Sequence, residues 1–186
     1  MSIVLAPKRL TGPAQEPVSL AEAKLAAKVD GSEQDTLVAG LITVAREQAE
    51  QLTNRLFGAQ IWRAELADWP AADQLLEVYG PTAVAVSYRT GATWTAVAPE
   101  AVAWAASGRG TVVAPVLGGS WPTLAAVALG PRVRIDITAG EEAEESVKLY
   151  IKASVTHWLQ SPAAAQAGTL TPNPLFARLL DRSWVV

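Results

Sequence analysis

With 186 residues, half of them hydrophobic and 18% charged, the chain has enough apolar content to fold around a core as one domain with an appended arm. Its formal charge of −3 speaks against a general affinity for nucleic-acid phosphate, and the absence of cysteine excludes disulfides, thiolate metal sites and cysteine nucleophiles. The single histidine, His157, leaves no multi-histidine metal site within one chain. No apolar run approaches the ~20 residues that cross a bilayer, and the N-terminus places its apolar run before its charges, the reverse of a secretory signal. A soluble protein made in a cytoplasm is expected, with no membrane partner.

Residues 1–16 read as an extended arm, interrupted by Pro7, Gly12 and Pro13 and solvated by Lys8 and Arg9. The arm is either loose or ordered against another subunit. Two helices follow, over 19–29 and 33–56. Ser19 with Glu22 three residues later forms a capping box, and Ser32 with Asp35 repeats the device after the helix-breaking Asp30-Gly31. Along the second helix Leu37, Leu41, Ala45, Ala49, Leu52 and Leu56 recur at three- and four-residue steps, widened by Val38 and Ile42. The other face carries Arg46, Glu47, Glu50 and Gln51, which this pattern turns toward water or a neighbouring subunit.

From 60 to 138 the period shortens to two. Trp62, Ala64 and Leu66 alternate with Arg63 and Glu65; Val84, Val86 and Tyr88 share a face of the next long strand. Thr90-Gly91-Ala92 marks a hairpin into 93–98. A short strand is expected over 75–79, with others over 102–105 and 111–116 separated by Ser107-Gly108-Arg109-Gly110. Val133, Ile135 and Ile137 alternate inward in a last one. A closing helix over 142–159 buries Val147, Ile151, Val155 and Trp158, with Tyr150 and Leu159 at the edge of the stripe. Residues 161–186 form a linker and an apolar tail that needs burial in its own core or in a partner.

No reaction centre emerges. Glu141, Glu142, Glu144 and Glu145 crowd a helix start, where the macrodipole favours negative charge, and His157 lies in a last turn, where it favours positive charge. No neighbour completes a triad around His157, and the glycine pairs lack the lysine of a phosphate loop. Seven tryptophans (62, 69, 94, 104, 121, 158 and 184) admit a carbohydrate-binding β module, although packing explains strand tryptophans more simply. Arg89, Arg109, Arg132 and Arg134 read as scattered solvated charges. No enzyme activity, cofactor or metal is expected.

The order of features is itself a signature. A capped PVSLAEAK helix, an acidic turn and a helix ending AREQAEQLTNRLF lead into a strand opening AQIW. A β region containing GSWP, a helix VKLYIKASVTHWLQ and a tail LLDRSWVV follow. This resembles the head–tail connector (adaptor, or head-completion) proteins of tailed bacteriophages and of phage-derived gene transfer agents. The resemblance implies a virion protein at the head–tail junction, made in the host bacterial cytoplasm. It implies a ring of about a dozen subunits beneath the portal protein. That ring continues the DNA channel without sequence-specific binding and receives a stopper or tail-completion protein. It makes Arg46, Glu47, Glu50 and Gln51 the subunit-interface candidates, and Leu175, Phe176, Leu179, Leu180 and Trp184 the portal-docking candidates. A stopper or tail terminator is the nearest alternative. The fold expected is α+β: a small helical bundle of two N-terminal helices and one C-terminal helix, with an inserted antiparallel β region between them.

Overall fold

Ser19 opens the first helix as its spacing predicts. Its hydroxyl accepts the Glu22 N–H at 3.2 Å, while the Glu22 carboxylate accepts the Ser19 N–H at 2.8 Å, so both arms of the capping box are made. The Ser19 hydroxyl, then its backbone N–H, hold the Glu22 carboxyl below its ordinary range. That contribution is therefore complete above the usual glutamate pKa and is lost as pH falls through the lowered value. Ser19→Ala is expected to cost about 1 kcal/mol, read as a shift of the urea midpoint at constant slope.

The computed structural model describes residues 6–107, 110–126, 129–161 and 174–183. They divide into two compact units: Pro13–Gly58 with Glu141–Val186, and Met1–Gly12 with Ala59–Gly140.

In the helical unit, α1 (Leu20–Ala27) stops earlier than Asp30-Gly31 suggests. Lys28 adopts the left-handed conformation at φ 57. Its N–H reaches Leu25 O at 3.3 Å and the Val29 N–H reaches Lys24 O at 3.0 Å, which together make a Schellman motif. The Lys24 ammonium then binds both the Gly31 carbonyl and the Asp35 carboxylate. With Asp35 so engaged, the second capping box does not form. Helix α2 (Asp35–Thr53) starts after Gln34 with no side-chain cap, and Ser32 contributes only its carbonyl, 3.2 Å from the Asp35 nitrogen.

The buried side of α2 is rotated from the expected leucine stripe. Val38, Leu41, Ile42, Ala45, Ala49 and Thr53 are buried, whereas Leu37 is 55% exposed. Two residues expected on the outer face, Arg46 and Glu50, are consequently inside. Helix α3 (Glu145–Gln160) supplies Val147, Tyr150, Ile151, Val155 and Trp158 to the same core. Tyr150, expected at the edge, is fully buried, its hydroxyl donating to Gln48 Oε1 at 3.4 Å. Burial raises its pKa, offset only in part by a hydrogen bond with Ser154. Stability from this group is full below the ordinary tyrosine value of about 10 and drains away as pH rises through the raised one. Tyr150→Phe is expected to flatten the alkaline limb of a stability–pH curve.

The β unit is built on antiparallel pairing throughout. Its larger sheet joins β1 (Lys8–Thr11), β2 (Gln60–Leu66), β4 (Pro81–Thr90), β5 (Thr93–Ala96) and β8 (Val133–Ala139) in the order β1-β2-β8-β4-β5. Alternation decides its faces: Ala64, Leu66, Val133, Ile135 and Ile137 are buried. Between them Arg63 stands opposite Asp136 and Glu65 opposite Arg134. The guanidinium of Arg63 grips Asp136 through two 2.7 Å bonds, and Arg134 reaches Glu65 at 2.8 Å. The β4–β5 hairpin turns through Gly91-Ala92, with Thr90 paired to Thr93 and Gly91 at φ 72, the positive φ that such two-residue loops demand.

Residues 8–11, expected in a solvated arm, are the edge strand of this sheet, with Lys8 opposite Arg63. So short and charged a run carries no periodic signal. It becomes a strand because β2 has backbone groups still to be paired. A smaller sheet runs β3 (Leu75–Leu76), β7 (Gly110–Pro115), β6 (Val102–Ser107). A side chain at Gly110 (φ 150) would collide with the Leu76 carbonyl, so the β3–β7 approach requires glycine there.

Candidate functional site

Arg46 is the most constrained charge among the described residues. Its side chain is 1% exposed, and its Nε donates to Glu16 Oε2 at 2.8 Å while Nη1 donates to Glu50 Oε2 at 2.7 Å. Glu47 lies 3.7 Å from Nη2. The second oxygen of Glu50 accepts the Phe57 N–H at 2.9 Å, and Thr43 donates to Glu16 at 2.9 Å. Burial, the largest influence, pulls the Arg46 pKa down, but Glu50 and Glu16 more than restore it, and the net shift is upward. The guanidinium thus ties the segment entering α1, through Glu16, and the segment leaving α2, through Glu50 and Phe57, to one point on α2. It is an internal clamp. The i,i+4 spacing of Arg46 and Glu50 was visible in the sequence; Glu16, in what read as a loose arm, was not. Of the four interface candidates only Glu47 and Gln51 keep solvent access, Gln51 being exposed.

The tail candidates separate in the same way. Helix α4 (Pro174–Ala177) carries Leu175 and Phe176, and a 3-10 helix over Arg178–Ser183 carries Leu179 and Leu180. Leu180 is fully buried in the core of the helical unit, Phe176 and Leu179 pack partly against it, and Leu175 is 70% exposed. Trp184 lies outside the described residues, as does the linker 162–173. An apolar groove of about 460 Å³ runs along α1, α3 and α4, lined by Ala26, Leu149, Lys152, Ala153 and Phe176. His157 meets the Phe176 ring edge-on at 5.9 Å.

The remaining polar clusters resolve into internal contacts. Arg55 is bound by Glu141 and, at 3.1 Å, by Glu144, so these carboxylates fasten the start of α3 to the end of α2. Arg132 pairs with Asp68 at 2.9 Å and Arg134 with Glu65, while Arg109 is outside the described residues. Trp69 stacks on Trp121 at 4.6 Å with its Nε1 donating to Pro122 O, and Arg134 covers Trp94 at 3.9 Å. One ring face of each of these three tryptophans is thereby engaged. Among the described residues no group of three or more His, Cys, Asp or Glu could hold a metal, and no helix is long and apolar enough to cross a membrane.

No family model matches the chain, and no curated protein matches it. Solved structures do. A chain from the neck of an empty GTA particle, computed with C6 symmetry, superposes with a TM-score of 0.73 over 98% of this chain and 96% of its own, at 18% identity. A chain from the virion of a native gene transfer agent (GTA) particle gives 0.71 at 18% identity over the same shares. A third, from the neck of the native GTA particle computed with C12 symmetry, gives 0.67 at 20%. The fold is shared end to end with chains of gene transfer agent particles. The likeness accompanies an α+β architecture of three main helices and antiparallel sheets.

Proposed function

We propose that the protein is a structural subunit of the neck of a tailed particle, a phage or a gene transfer agent, joining the capsid portal to the tail. The observation that carries this reading is the superposition over 98% of the chain on a neck protein solved in a symmetric particle. The polar clusters support it by pointing the same way. Arg46, Arg55, Arg63, Arg132 and Arg134 are all spent on holding elements together, as suits a part whose work is mechanical. In this proposal the subunits form a closed ring by a repeated heterologous contact, continuing the DNA channel and receiving a stopper or tail-completion protein. Glu47 and Gln51 on α2 face a neighbour; Leu175 and the exposed part of Phe176 face the portal.

The test is to mix the protein with the portal of its own particle and image the product by electron microscopy. A collar of protein on the portal vertex, with rotational symmetry, is the expected result. Absence of association at micromolar concentration with both isolated portals and portal-bearing capsids overturns the proposal. A monomer in the absence of the portal does not, because the ring can require its template.

A further inference from the structure

Gly40 sits inside α2, where glycine weakens a helix relative to alanine because it has more backbone freedom to lose. Nothing described within the subunit requires it. The residue is exposed, and a Cβ placed on it meets no atom within 4 Å. What a missing side chain does provide, on an outward helix face, is room for another element to approach the backbone closely. With 3.6 residues per turn, Gly40 shares a stripe with Leu37, Val44, Glu47 and Gln51, turned away from the buried Val38, Leu41, Ala45 and Ala49. Leu37 is 55% exposed there, and the one charge on the stripe is the negative Glu47.

The same helical unit carries an open surface of the opposite kind. The groove along α1, α3 and α4 presents Ala26, Leu149, Ala153 and Phe176, and Leu149 is 49% exposed. Lys152 lines it, and no described carboxylate does. At about 1.5 Å of rise per residue, α2 from Leu37 to Glu47 covers about 15 Å and α3 from Leu149 to Gln160 about 17 Å.

We infer that the outward stripe of α2 in one copy of this chain seats in the α1–α3–α4 groove of a second copy, with Gly40 at the closest approach. The inference names the surface that receives Glu47 and Gln51, and so rests on the neck reading. The stripe and the groove themselves select a second copy as the occupant. They share no residue, so every copy offers both at once. Their lengths agree, and their charges are opposite in sign, Glu47 against Lys152. An apolar helix face laid in an apolar groove is an established way for two chains to join. Because the two patches are unlike, the contact passes from copy to copy and closes into a ring when the rotation permits. Leu175 is outside the groove lining and remains for the portal.

Collars assembled on portals test this. The chain has no cysteine, so Leu37→Cys and Leu149→Cys, both at exposed positions, are the only reactive thiols of a double variant. In collars of that variant a short bis-maleimide is expected to link subunits into a ladder extending beyond the dimer. Collars that give no ladder overturn the inference, and so does a cross-linked dimer from Leu37→Cys alone, which would bring like patches together. A benzophenone carried on Leu149→Cys is expected to photo-cross-link α2 of another copy; capture of the portal or a stopper in its place overturns it. In parallel, Gly40→Gln adds a better helix former at an open position. It is expected to melt no lower than the parent and to lose the collar. A Gly40→Gln protein that assembles as the parent does also overturns the inference. A parent protein that never forms a collar sinks the neck reading and this one together. A parent collar without the α2–groove link sinks this one alone.

Discussion

Arg46→Ala is expected to lower the unfolding free energy by about 3–5 kcal/mol, because it leaves Glu50 buried without its guanidinium. Against a total of roughly 5–15 kcal/mol for a domain, that is a third or more of what holds the protein folded. The loss has two structural parts. Glu50, 8% exposed, loses its guanidinium partner while it still accepts the Phe57 N–H, and Glu16 loses its 2.8 Å bond. Glu16→Ala is expected to be milder, since the Glu16 side chain is 27% exposed and water can reach the site it vacates. Urea denaturation followed by circular dichroism ranks the variants. An effect of Arg46→Ala within about 0.5 kcal/mol, the range of an ordinary surface substitution, would remove the clamp and return Arg46 to the subunit interface.

Leu180→Ala is expected to cost about 2–5 kcal/mol, the range for a leucine truncated in a packed core. In the sequence the tail reads as an apolar segment that needs burial, in its own core or in a partner. In the structure Leu180 lies with Val147, Ile151 and Val155 in the core of the helical unit, and Phe176 and Leu179 shield it. Leu175→Ala, at a position 70% exposed, is expected to change stability by no more than about 0.5 kcal/mol. The pair separates two roles. If the 3-10 segment is part of the fold, Leu180→Ala lowers the melting temperature of the isolated protein and Leu175→Ala does not. If Leu180→Ala leaves melting unchanged and abolishes portal binding, the tail is a docking element. In the first case, truncation before residue 175 follows Leu180→Ala in melting temperature, not the parent.

How much of this was legible in the chain depends on the range of the interaction concerned. The Ser19–Glu22 box spans three residues and was readable because both partners announce themselves by type and spacing. The alternation of Val133, Ile135 and Ile137 was readable because a strand with one buried face imposes period two on its own sequence. The charged partners across it, Arg63 with Asp136 and Glu65 with Arg134, lie some seventy residues apart and showed only as polar positions. The functional direction came from element order, which local physics cannot derive.

Helix existence, strand alternation and the α+β arrangement were therefore determined by the sequence alone, since each follows from contacts a few residues apart. The rotation of α2 was decided by tertiary structure. An apolar stripe of leucines competes there with small residues at Ala45 and Ala49 that permit close approach, and with an arginine whose three carboxylate neighbours make burial affordable. The same holds for β1, which is a strand only because β2 has an edge to fill, and for Leu180, whose place depends on a core assembled from α2 and α3. Helices 17–57 thus began as a two-faced element with a polar side for a neighbour. The folded chain spends half of that polar side on itself, because a buried charge must find its partners inside the subunit before any surface is left to offer.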